Sequence, residues 1–394
     1  MEKETKSAKC TLMHKTFPVI ELEIDSEIGS ILKIGNTINA QRLPVGTEMT
    51  GGKPNRRSLN DWWTGRTIPA SRDGIKEALQ NMGVETIMLL VEKCYGLSLS
   101  DQYWFKPKGS DLKWEDVNFF QNDFSKDVGE ILFGREPDDT KHMNLVSPDN
   151  TSDGMLRKKW IVANGKRILM KGANREFDYR QEPFNEIIAS AIMRRLDISH
   201  AEYTLTFEQG DPYSLCENFI TPDTELVPAW RIRSVYKKDN KDSDLTHLLR
   251  CSDRLEITGV REAIDRMLTV DYIIANRDRH WGNFGFVRDV NTLKWKGLSP
   301  IFDSGSSLWH NTNFVGRETE SRPFRSRHEE QVQLVSDLSW FDYGALDGIE
   351  GECKEILSQS EIIDEARRDK IAGAVAERCQ QIEHIGFPGM SNVL

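Results

Sequence analysis

Apolar and polar positions follow short, regular patterns in the first part of the chain. Two apolar runs between residues 17 and 34 have the length and composition of β-strands. Ile75, Leu79 and Met82 then recur with the spacing of one helix face, and a glycine follows them, so the pattern predicts a helix over 70–82. We therefore expect this part of the chain to mix strands and helices.

Between these elements and the middle of the chain, the patterns are less regular. The stretch from Leu97 to Phe133 is rich in aromatic residues without helical or strand periodicity, which predicts a packed irregular connector. The stretch from Pro137 to Ser152 is rich in Asp, Asn, Ser and Pro and predicts a linker.

Regular alternation returns after Lys158. The runs KKWIV and RILMK flank Asn164-Gly165, a pair that favours the positive φ angles of a tight hairpin turn. A helix with an apolar face is predicted from Pro183 to Leu196, and a second hairpin is predicted over 203–220. Together these elements predict a small sheet with one helix.

The remainder of the chain is predicted to be mainly helical. The helical segments are expected at about 259–276, 328–340 and 361–382. A strand-like island over 283–304 interrupts them. Strands followed by helices in this order predict an α+β fold.

Composition and charge narrow the functional classes. The 394 residues hold 52 basic and 62 acidic side chains, a formal net charge of −10, which disfavours direct binding to nucleic acid or to an anionic membrane. The first residues lack the apolar core of a signal peptide, and no apolar run reaches the length of a membrane span. The six cysteines form neither a disulfide framework nor a zinc motif. We expect a cytoplasmic protein.

The strand-like island and the loop directly before it carry the residues with the clearest chemistry. Asp278 is followed five residues later by Asn283, and Asp303 comes after a predicted hairpin. Phosphoryl transfer needs a carboxylate beside the attacking hydroxyl and hard oxygen ligands for Mg²⁺, and these three residues supply them. The Asp-x4-Asn spacing alone is weak, and a solvated turn held by salt bridges is the alternative interpretation.

Two upstream residues strengthen the first interpretation. Lys171 ends the second predicted strand of the hairpin, where a lysine can reach a nucleotide phosphate, and Glu186 lies on the following helix, where it can pair with that ammonium. The signal for phosphoryl transfer is the order along the chain. A lysine at the end of a strand is followed by a glutamate on a helix, a second hairpin, the Asp-x4-Asn pair and a final aspartate.

At this point the sequence resembles the HipA-like serine/threonine kinases, a family found in bacterial toxin–antitoxin settings. The resemblance covers about residues 145–340. It rests on the following motifs: SDGMLRKKW, ILMKG, QEPFNEIIASAIMRRLDI, CENF, NRDRHWGNFGFV and SPIFDSGSSL. It implies a two-lobed protein-kinase-like fold with a small sheet-containing N-lobe, a mainly helical C-lobe and an extra N-terminal module. The expected boundaries are 1–140 for the module, 141–221 for the N-lobe and 222–394 for the C-lobe.

The resemblance also implies ATP and Mg²⁺ as cofactors and a role for each matching residue. Asp278 would be the catalytic base, Asn283 and Asp303 the metal ligands, and Lys171 with Glu186 the phosphate-binding pair. The other residues expected to bind the nucleotide are Glu217, Asn218 and Phe219 in the connector between the lobes, and His280 near the phosphates. His280 could equally cap its own loop.

The phosphate-covering segment departs from a common kinase pattern. It has a single glycine, Gly154, in place of GxGxxG. HipA-like enzymes share this feature and use a mobile loop that can carry a phosphorylated serine, for which Ser152 is the matching position. We therefore expect autophosphorylation within residues 147–152. The segment over 304–328 holds several hydroxyls among four arginines, so that phosphate added there could order it or it could be only a polar loop.

Several functions remain open on the sequence. The first is a protein kinase acting on Ser or Thr of a protein substrate, with a toxin role and an antitoxin or DNA-binding partner protein. DRHWGN also looks like a loop of phosphoinositide kinases, so a lipid or small-molecule acceptor is an alternative within the same chemistry. A nucleotide-binding pseudokinase or co-regulator is the non-enzymatic alternative, although all five polar groups needed for transfer are present.

Overall fold

The structure, a computed structural model, describes residues 7–72, 74–135, 143–318 and 320–384. It divides into two compact units. The first is formed by the described parts of Met1–Met170 with Ile220–Val227 and Arg288–Lys294, and the second by Lys171–Phe219, Pro228–Val287 and the described parts of Trp295–Leu394. The boundaries predicted from the sequence fall at other residues and stay a prediction.

An antiparallel sheet forms one side of the first unit. Its strands and the neighbouring short pair are β1 (Ser7–His14), β2 (Phe17–Asp25), β3 (Ile31–Thr37), β4 (Met49–Thr50), β5 (Lys53–Pro54) and β6 (Tyr103–Pro107). The sheet order is β3-β2-β1-β6, and β1 pairs antiparallel with both β2 and β6. The strands predicted between residues 17 and 34 are therefore confirmed.

Short helices make up much of the rest of the described first unit. They are α1 (Arg56–Thr64), α2 (Ile75–Asn81), α3 (Ile87–Lys93), α4 (Trp114–Val117) and α5 (Asp127–Leu132). The side chain of Asn55 caps α1 by accepting from two backbone N–H groups of its first turn. The predicted helix over 70–82 forms only from Ile75, directly after Gly74 in the left-handed conformation.

The aromatic stretch was predicted to be irregular, and β6 shows that this was wrong for residues 103–107. Tyr103, Trp104 and Phe105 are all buried, so the strand has no polar face and shows no alternation. Their rings form part of the core, where Phe105 packs edge-on against Trp63.

The described part of the predicted linker is also not an exposed tether. The chain makes a 3₁₀ turn at Pro148–Thr151, and Ser147, Asp149 and Asn150 are fully buried. Buried polar groups need partners, and here Ser147 and Asp149 bond to each other. Residues 137–142 of the predicted linker lie outside the described residues.

A buried network of charges joins the separate segments of the first unit. Glu225 bonds to His14 at 3.0 Å and to Arg288 at 2.6 Å, and the ring of His14 stacks on Tyr103. Arg42 donates to the carbonyl of Val290 and contacts His14. Burial raises the pKa of Glu225, but the neighbouring Arg288 and His14 outweigh this effect and lower the pKa to about 2. This carboxylate is therefore ionised across the physiological range.

The predicted hairpins and helix are present around the start of the second unit. The elements are β7 (Lys158–Ala163), β8 (Lys166–Gly172), α6 (Glu182–Arg195), β9 (Tyr203–Glu208) and β10 (Asp211–Glu217). Asn164 and Gly165 have φ angles of 52° and 74°, as the turn between β7 and β8 requires. Strand β10 pairs antiparallel with β9.

Helices dominate the rest of the second unit. The elements that remain along the chain are β11 (Thr224–Pro228), α7 (Ala229–Ser234), α8 (Asp244–Arg254), α9 (Val260–Ile273), β12 (Gly285–Asp289), β13 (Trp295–Leu298), α10 (His328–Val332), α11 (Ile349–Ser358) and α12 (Glu365–His384). Of these, β11 up to Val227 and the last two residues of β12 belong to the first unit. The helix predicted over 328–340 ends at Val332, because Leu334 and Val335 donate to carbonyls three residues back and the helical bonds do not continue. This mixed fold agrees with the predicted α+β class.

Two further expectations concern the whole chain. All six cysteines are free and buried, which agrees with the absence of a disulfide framework in the sequence. Among the described residues, no helix combines the length and the apolar character needed to cross a membrane.

Candidate active site

Lys171 lies at the centre of a buried ion triad. It sits near the end of β8, and its Nζ lies 2.6 Å from Oε1 of Glu186 on α6 and 2.5 Å from Oδ1 of Asp303. The side chains of Lys171 and Glu186 are 6% and 2% exposed, whereas Asp303 is 32% exposed. The triad therefore brings together three residues that the sequence singled out, and one of its carboxylates faces solvent.

The two carboxylates keep Lys171 in its charged form. Burial lowers the pKa of Lys171, but the carboxylates of Asp303 and Glu186 outweigh it and raise that pKa well above its ordinary value. The second oxygen of Glu186 accepts from the backbone N–H of Ser304 at 2.8 Å. Helix α6 therefore holds both the lysine and the chain beside Asp303.

The backbone of Asp303 has an uncommon conformation. Its φ is 59°, in the left-handed region that few residues other than glycine adopt. The hydroxyl of Tyr203 contacts its backbone N–H at 3.2 Å. An uncommon backbone conformation persists only where the surrounding packing holds it in place. Residues with such conformations are frequent at functional sites.

Asp278 and Asn283 lie on one loop between α9 and β12. The side-chain amide of Asn283 donates to the carbonyl of Asp278 at 2.9 Å, and the ring of His280 accepts from the N–H of Gly282 at 3.0 Å. His280 thus caps its own loop, as one of the two sequence interpretations expected. Its role near phosphates stays a prediction.

Sequence reasoning missed the residue that fixes this loop. Arg279 is fully buried and bonds to Asp271 on α9 at 3.0 Å. It also donates to the carbonyls of Asn283 and Phe302 and to the hydroxyl of Ser304. One guanidinium therefore joins α9, the Asp278 loop and the Asp303 segment. Its position directly after Asp278 was the available signal, but its burial could not be read from the sequence.

The carboxylate of Asp278 is more basic than an ordinary aspartate. Burial raises its pKa, and among the nearby charges His280 lowers it while Asp303 raises it further. The side chain is 39% exposed, and one oxygen lies 3.4 Å from Nη1 of Arg322. A raised pKa in an accessible carboxylate suits a group that accepts a proton.

The chain after Asp303 is held by buried amides. Asn185 on α6 donates 2.8 Å bonds to the carbonyls of Gly305 and Ser307, and Gln181 donates to that of Leu308. Arg367 on α12 bonds to Gln181 and to carbonyls farther along the same segment. These bonds fix the segment over 305–312. That phosphorylation orders the segment over 304–328 stays a prediction.

The expected connector residues lie at the end of β10. Glu217 is exposed, and Asn218 and Phe219 are half-buried. The ring of Phe219 lies 5.6 Å from that of Phe302, beside a small apolar cluster with Tyr203 and Cys216. An apolar surface of this kind suits an aromatic base.

Ser152 and Gly154 lie in the first unit, where Arg72 holds them. The buried guanidinium of Arg72 donates to the Ser152 hydroxyl at 2.9 Å, to the Ser152 carbonyl and to the Gly154 carbonyl at 2.9 Å. The Ser152 hydroxyl in turn donates to the carbonyl of Asp149. The φ of Gly154 is 92°, a backbone conformation that residues with side chains rarely adopt, which favours glycine here. The Ser152 hydroxyl is therefore buried in this conformation.

Asp149 beside this loop should make the stability of the protein depend on pH. Burial raises its pKa from 3.8 to about 7, against bonds from Trp160 and Ser147 that lower it. The folded state therefore keeps this proton between about pH 4 and 7 while the unfolded state loses it, and stability falls as pH rises through that range. Because a difference of one in pKa corresponds to about 1.4 kcal/mol, the loss is at most about 4 kcal/mol.

The variant Asp149→Asn tests this expectation, since an amide keeps the size and accepts the same Trp160 bond. Urea denaturation at a series of pH values should show a smaller decline between pH 4 and 7 in the variant. Asp153→Asn, on a neighbouring exposed carboxyl, serves as the control. Identical slopes in wild type and Asp149→Asn would refute the assignment.

The oxygen ligands present fit a magnesium ion shared with a nucleotide. The described residues contain no group of three His, Cys, Asp or Glu that could hold a metal by themselves. Magnesium bound with nucleotide phosphates takes only one or two protein carboxylates, with the phosphates and water completing its shell. Asp303, partly exposed, and Asn283 therefore provide a suitable donor set.

Comparison with known proteins places this site in a family. The model of the HipA-like C-terminal domain matches residues 151–367, which is more than half of the chain. The chain belongs to the HipA-like C-terminal domain family. The match includes the Lys171 triad, the Asp278 loop and Ser152, so the resemblance stated from the motifs is confirmed.

Individual relatives are more distant. Serine/threonine-protein kinase CtkA of Helicobacter pylori is 29% identical over 142 residues, which cover 34% of this chain and 43% of CtkA. The chain thus matches less than half the length of this curated relative. The crystal structure of the H. pylori proinflammatory kinase CtkA gives a TM-score of 0.42 at 19% identity and covers 58% of this chain and 92% of that one.

A solved structure also supports the fold. HipA of Shewanella oneidensis MR-1, in a complex of the toxin–antitoxin system with HipB and operator DNA, matches with a TM-score of 0.53 and 13% identity. The match covers 95% of this chain and 99% of that chain. The predicted kinase-like α+β fold is therefore confirmed.

Proposed function

We propose that this protein is an ATP- and Mg²⁺-dependent serine/threonine protein kinase. The observation that carries the proposal is the triad of Lys171, Glu186 and Asp303, fixed through Arg279 to the loop of Asp278 and Asn283. A lysine paired with a helix glutamate, beside a metal-binding aspartate and a basic carboxylate, is the set of groups that protein kinases use. The family membership supports the same activity.

Each residue then has a separate task. Asp278 accepts the proton of the acceptor hydroxyl while the hydroxyl oxygen bonds to the γ-phosphorus of ATP. The bond between this phosphorus and the bridging oxygen breaks, and ADP leaves. Lys171 binds the α- and β-phosphates, with Glu186 holding its ammonium. Asn283 and Asp303 would hold Mg²⁺, which neutralises phosphate charge when bound. Glu217, Asn218 and Phe219 bind the adenine, and His280 lies near the phosphates.

The division into an N-terminal module over 1–140, an N-lobe over 141–221 and a C-lobe over 222–394 belongs to the same proposal. Gly154 and Ser152 would then lie in the segment that covers the phosphates. The buried position of Ser152 under Arg72 supports one refinement: its hydroxyl becomes an acceptor only after the loop leaves this position. Autophosphorylation within 147–152 therefore requires the loop to move.

A toxin role with an antitoxin partner is a further part of the proposal. It rests on the structural match to HipA, which is in complex with HipB and operator DNA. Co-purification of this chain with the product of a neighbouring small reading frame tests the partner.

The decisive experiment is phosphate transfer from Mg-ATP to the purified protein and to proteins of a cell lysate. Intact mass should increase by one phosphate, and peptide mapping should place it within residues 147–152. EDTA should abolish the transfer because the metal is removed. Nucleotide binding without transfer to any protein would overturn the protein-kinase proposal in favour of a small-molecule acceptor or a pseudokinase.

A further inference from the structure

A rigid, arginine-rich loop lies beside the proposed catalytic base. Residues 320–326 line a shallow cavity of about 380 Å³. The guanidinium of Arg322 reaches Asp278 at 3.4 Å, and the ring of Phe324 packs edge-on against Trp281 of the catalytic loop at 5.3 Å. The cavity is therefore next to the carboxylate that an acceptor hydroxyl must approach.

Gln331 on α10 fixes the shape of this loop. Its side-chain oxygen accepts from the backbone N–H groups of Phe324 and Arg325 at 3.0 and 3.1 Å. Its amide nitrogen donates to the hydroxyl of Ser321 and to the carbonyl of Arg322. Because Gln331 is 2% exposed, these bonds are shielded from water, and the loop needs little ordering when a ligand binds.

The charges along the loop do not cancel. From Arg317 to Arg327 the sequence contains four arginines and two glutamates. Glu318 pairs with Arg327, and Glu320 lies 3.7 Å from Arg277. Arg322 faces Asp278, so the exposed guanidinium of Arg325 gives the cavity a positive charge that neither glutamate of the loop balances.

We propose that this cavity recognises acidic residues beside the acceptor, so that the substrates are serines or threonines flanked by Asp or Glu. This inference rests on the proposed kinase function and deepens it. A guanidinium binds a carboxylate through two parallel bonds, which gives direction as well as charge. A substrate carboxylate on Arg322 would also draw that guanidinium away from Asp278 and leave the base free for the acceptor hydroxyl.

Matched peptides test the proposal. Three twelve-residue peptides carry one serine, flanked by Glu, Gln or Lys, and kcat/KM for phosphorylation is measured with each. The wild type should prefer the Glu peptide over the Gln peptide by about tenfold, as expected for one partly exposed charge-assisted contact. In Arg325→Glu this preference should disappear, and kcat/KM for the Lys peptide should increase. Lys370→Glu, an exposed charge reversal on α12, should retain the wild-type preference.

A binding measurement separates this inference from the proposed function. Labelled versions of the three peptides with alanine in place of serine are titrated with the full-length protein, and fluorescence anisotropy gives Kd. The Glu peptide should bind about tenfold more tightly than the Gln peptide at low salt and lose this advantage in Arg325→Glu and Arg325→Gln. Circular dichroism confirms that the variants are folded.

The outcomes are distinct. Phosphorylation of all peptides at equal rates, or a preference that survives in Arg325→Glu, overturns the specificity and leaves the kinase in place. If no peptide and no protein is phosphorylated, the proposed function fails, and the anisotropy result alone decides whether the cavity binds acidic peptides. Equal Kd values for the Glu and Gln peptides would then overturn the inference.

Discussion

Asp278→Asn is expected to slow phosphate transfer from Mg-ATP by about 10²–10⁴-fold, the usual contribution of a positioned general base. The amide keeps the size of the side chain but cannot accept the proton of the acceptor hydroxyl. Nucleotide binding should persist, because Lys171 and Asp303 are unchanged. Transfer is measured with radiolabelled ATP, and binding by the increase in Tm that the nucleotide causes.

The matched control is Asp253→Asn, an exposed aspartate on α8 of the same unit. It should transfer phosphate at the wild-type rate. If Asp278→Asn retains more than a tenth of that rate, another group is the base and the assignment of Asp278 is wrong.

Arg279→Gln should lower the free energy of unfolding by about 3–5 kcal/mol, since it leaves the carboxylate of Asp271 buried without its cation. This is a large part of the 5–15 kcal/mol by which a typical domain is stable. The same change removes the bonds to Asn283 and Ser304, so the transfer rate per folded molecule should also fall. Urea denaturation and transfer assays on the folded fraction measure the two effects.

Two further variants make this result specific. Arg194→Gln breaks an exposed pair with Glu202 in the same unit and should cost less than about 1 kcal/mol. The double variant Asp271→Asn, Arg279→Gln should be more stable than the sum of its single changes, because neither partner is then left as an isolated charge. Additive losses would show that Arg279 and Asp271 do not stabilise each other.

The parts of the site that the sequence predicted are those set by local structure. Asn164-Gly165 fixes the hairpin that ends in Lys171, and α6 presents Glu186 fifteen residues later at the same ammonium. The loop from Asp278 to Asn283 closes on itself through a bond between these two residues. The order of the motifs was sufficient to predict these contacts, because each contact joins residues close in sequence or follows from one strand and the next helix.

Contacts between distant segments could not be predicted in this way. Arg72 reaches Ser152 across 80 residues of sequence, and nothing in either local pattern indicates that they meet. The burial of Arg279 likewise depends on how α9 packs against the Asp278 loop and the Asp303 segment. The strand over 103–107 was missed because both of its faces are covered. Such a strand lacks the alternation of apolar and polar residues on which the prediction relied.

The bonds from Asn185 also bear on how an inhibitor of this enzyme could be designed. Its amide is fully buried and holds the carbonyls of Gly305 and Ser307. A compound that binds only after the Asp303 segment swings outward would leave these groups unpaired, at about 1–3 kcal/mol for each buried group. Compounds that fit beside Lys171 with the segment in place avoid this loss. Screening should therefore favour compounds that bind with the segment in place over ligands that need it displaced.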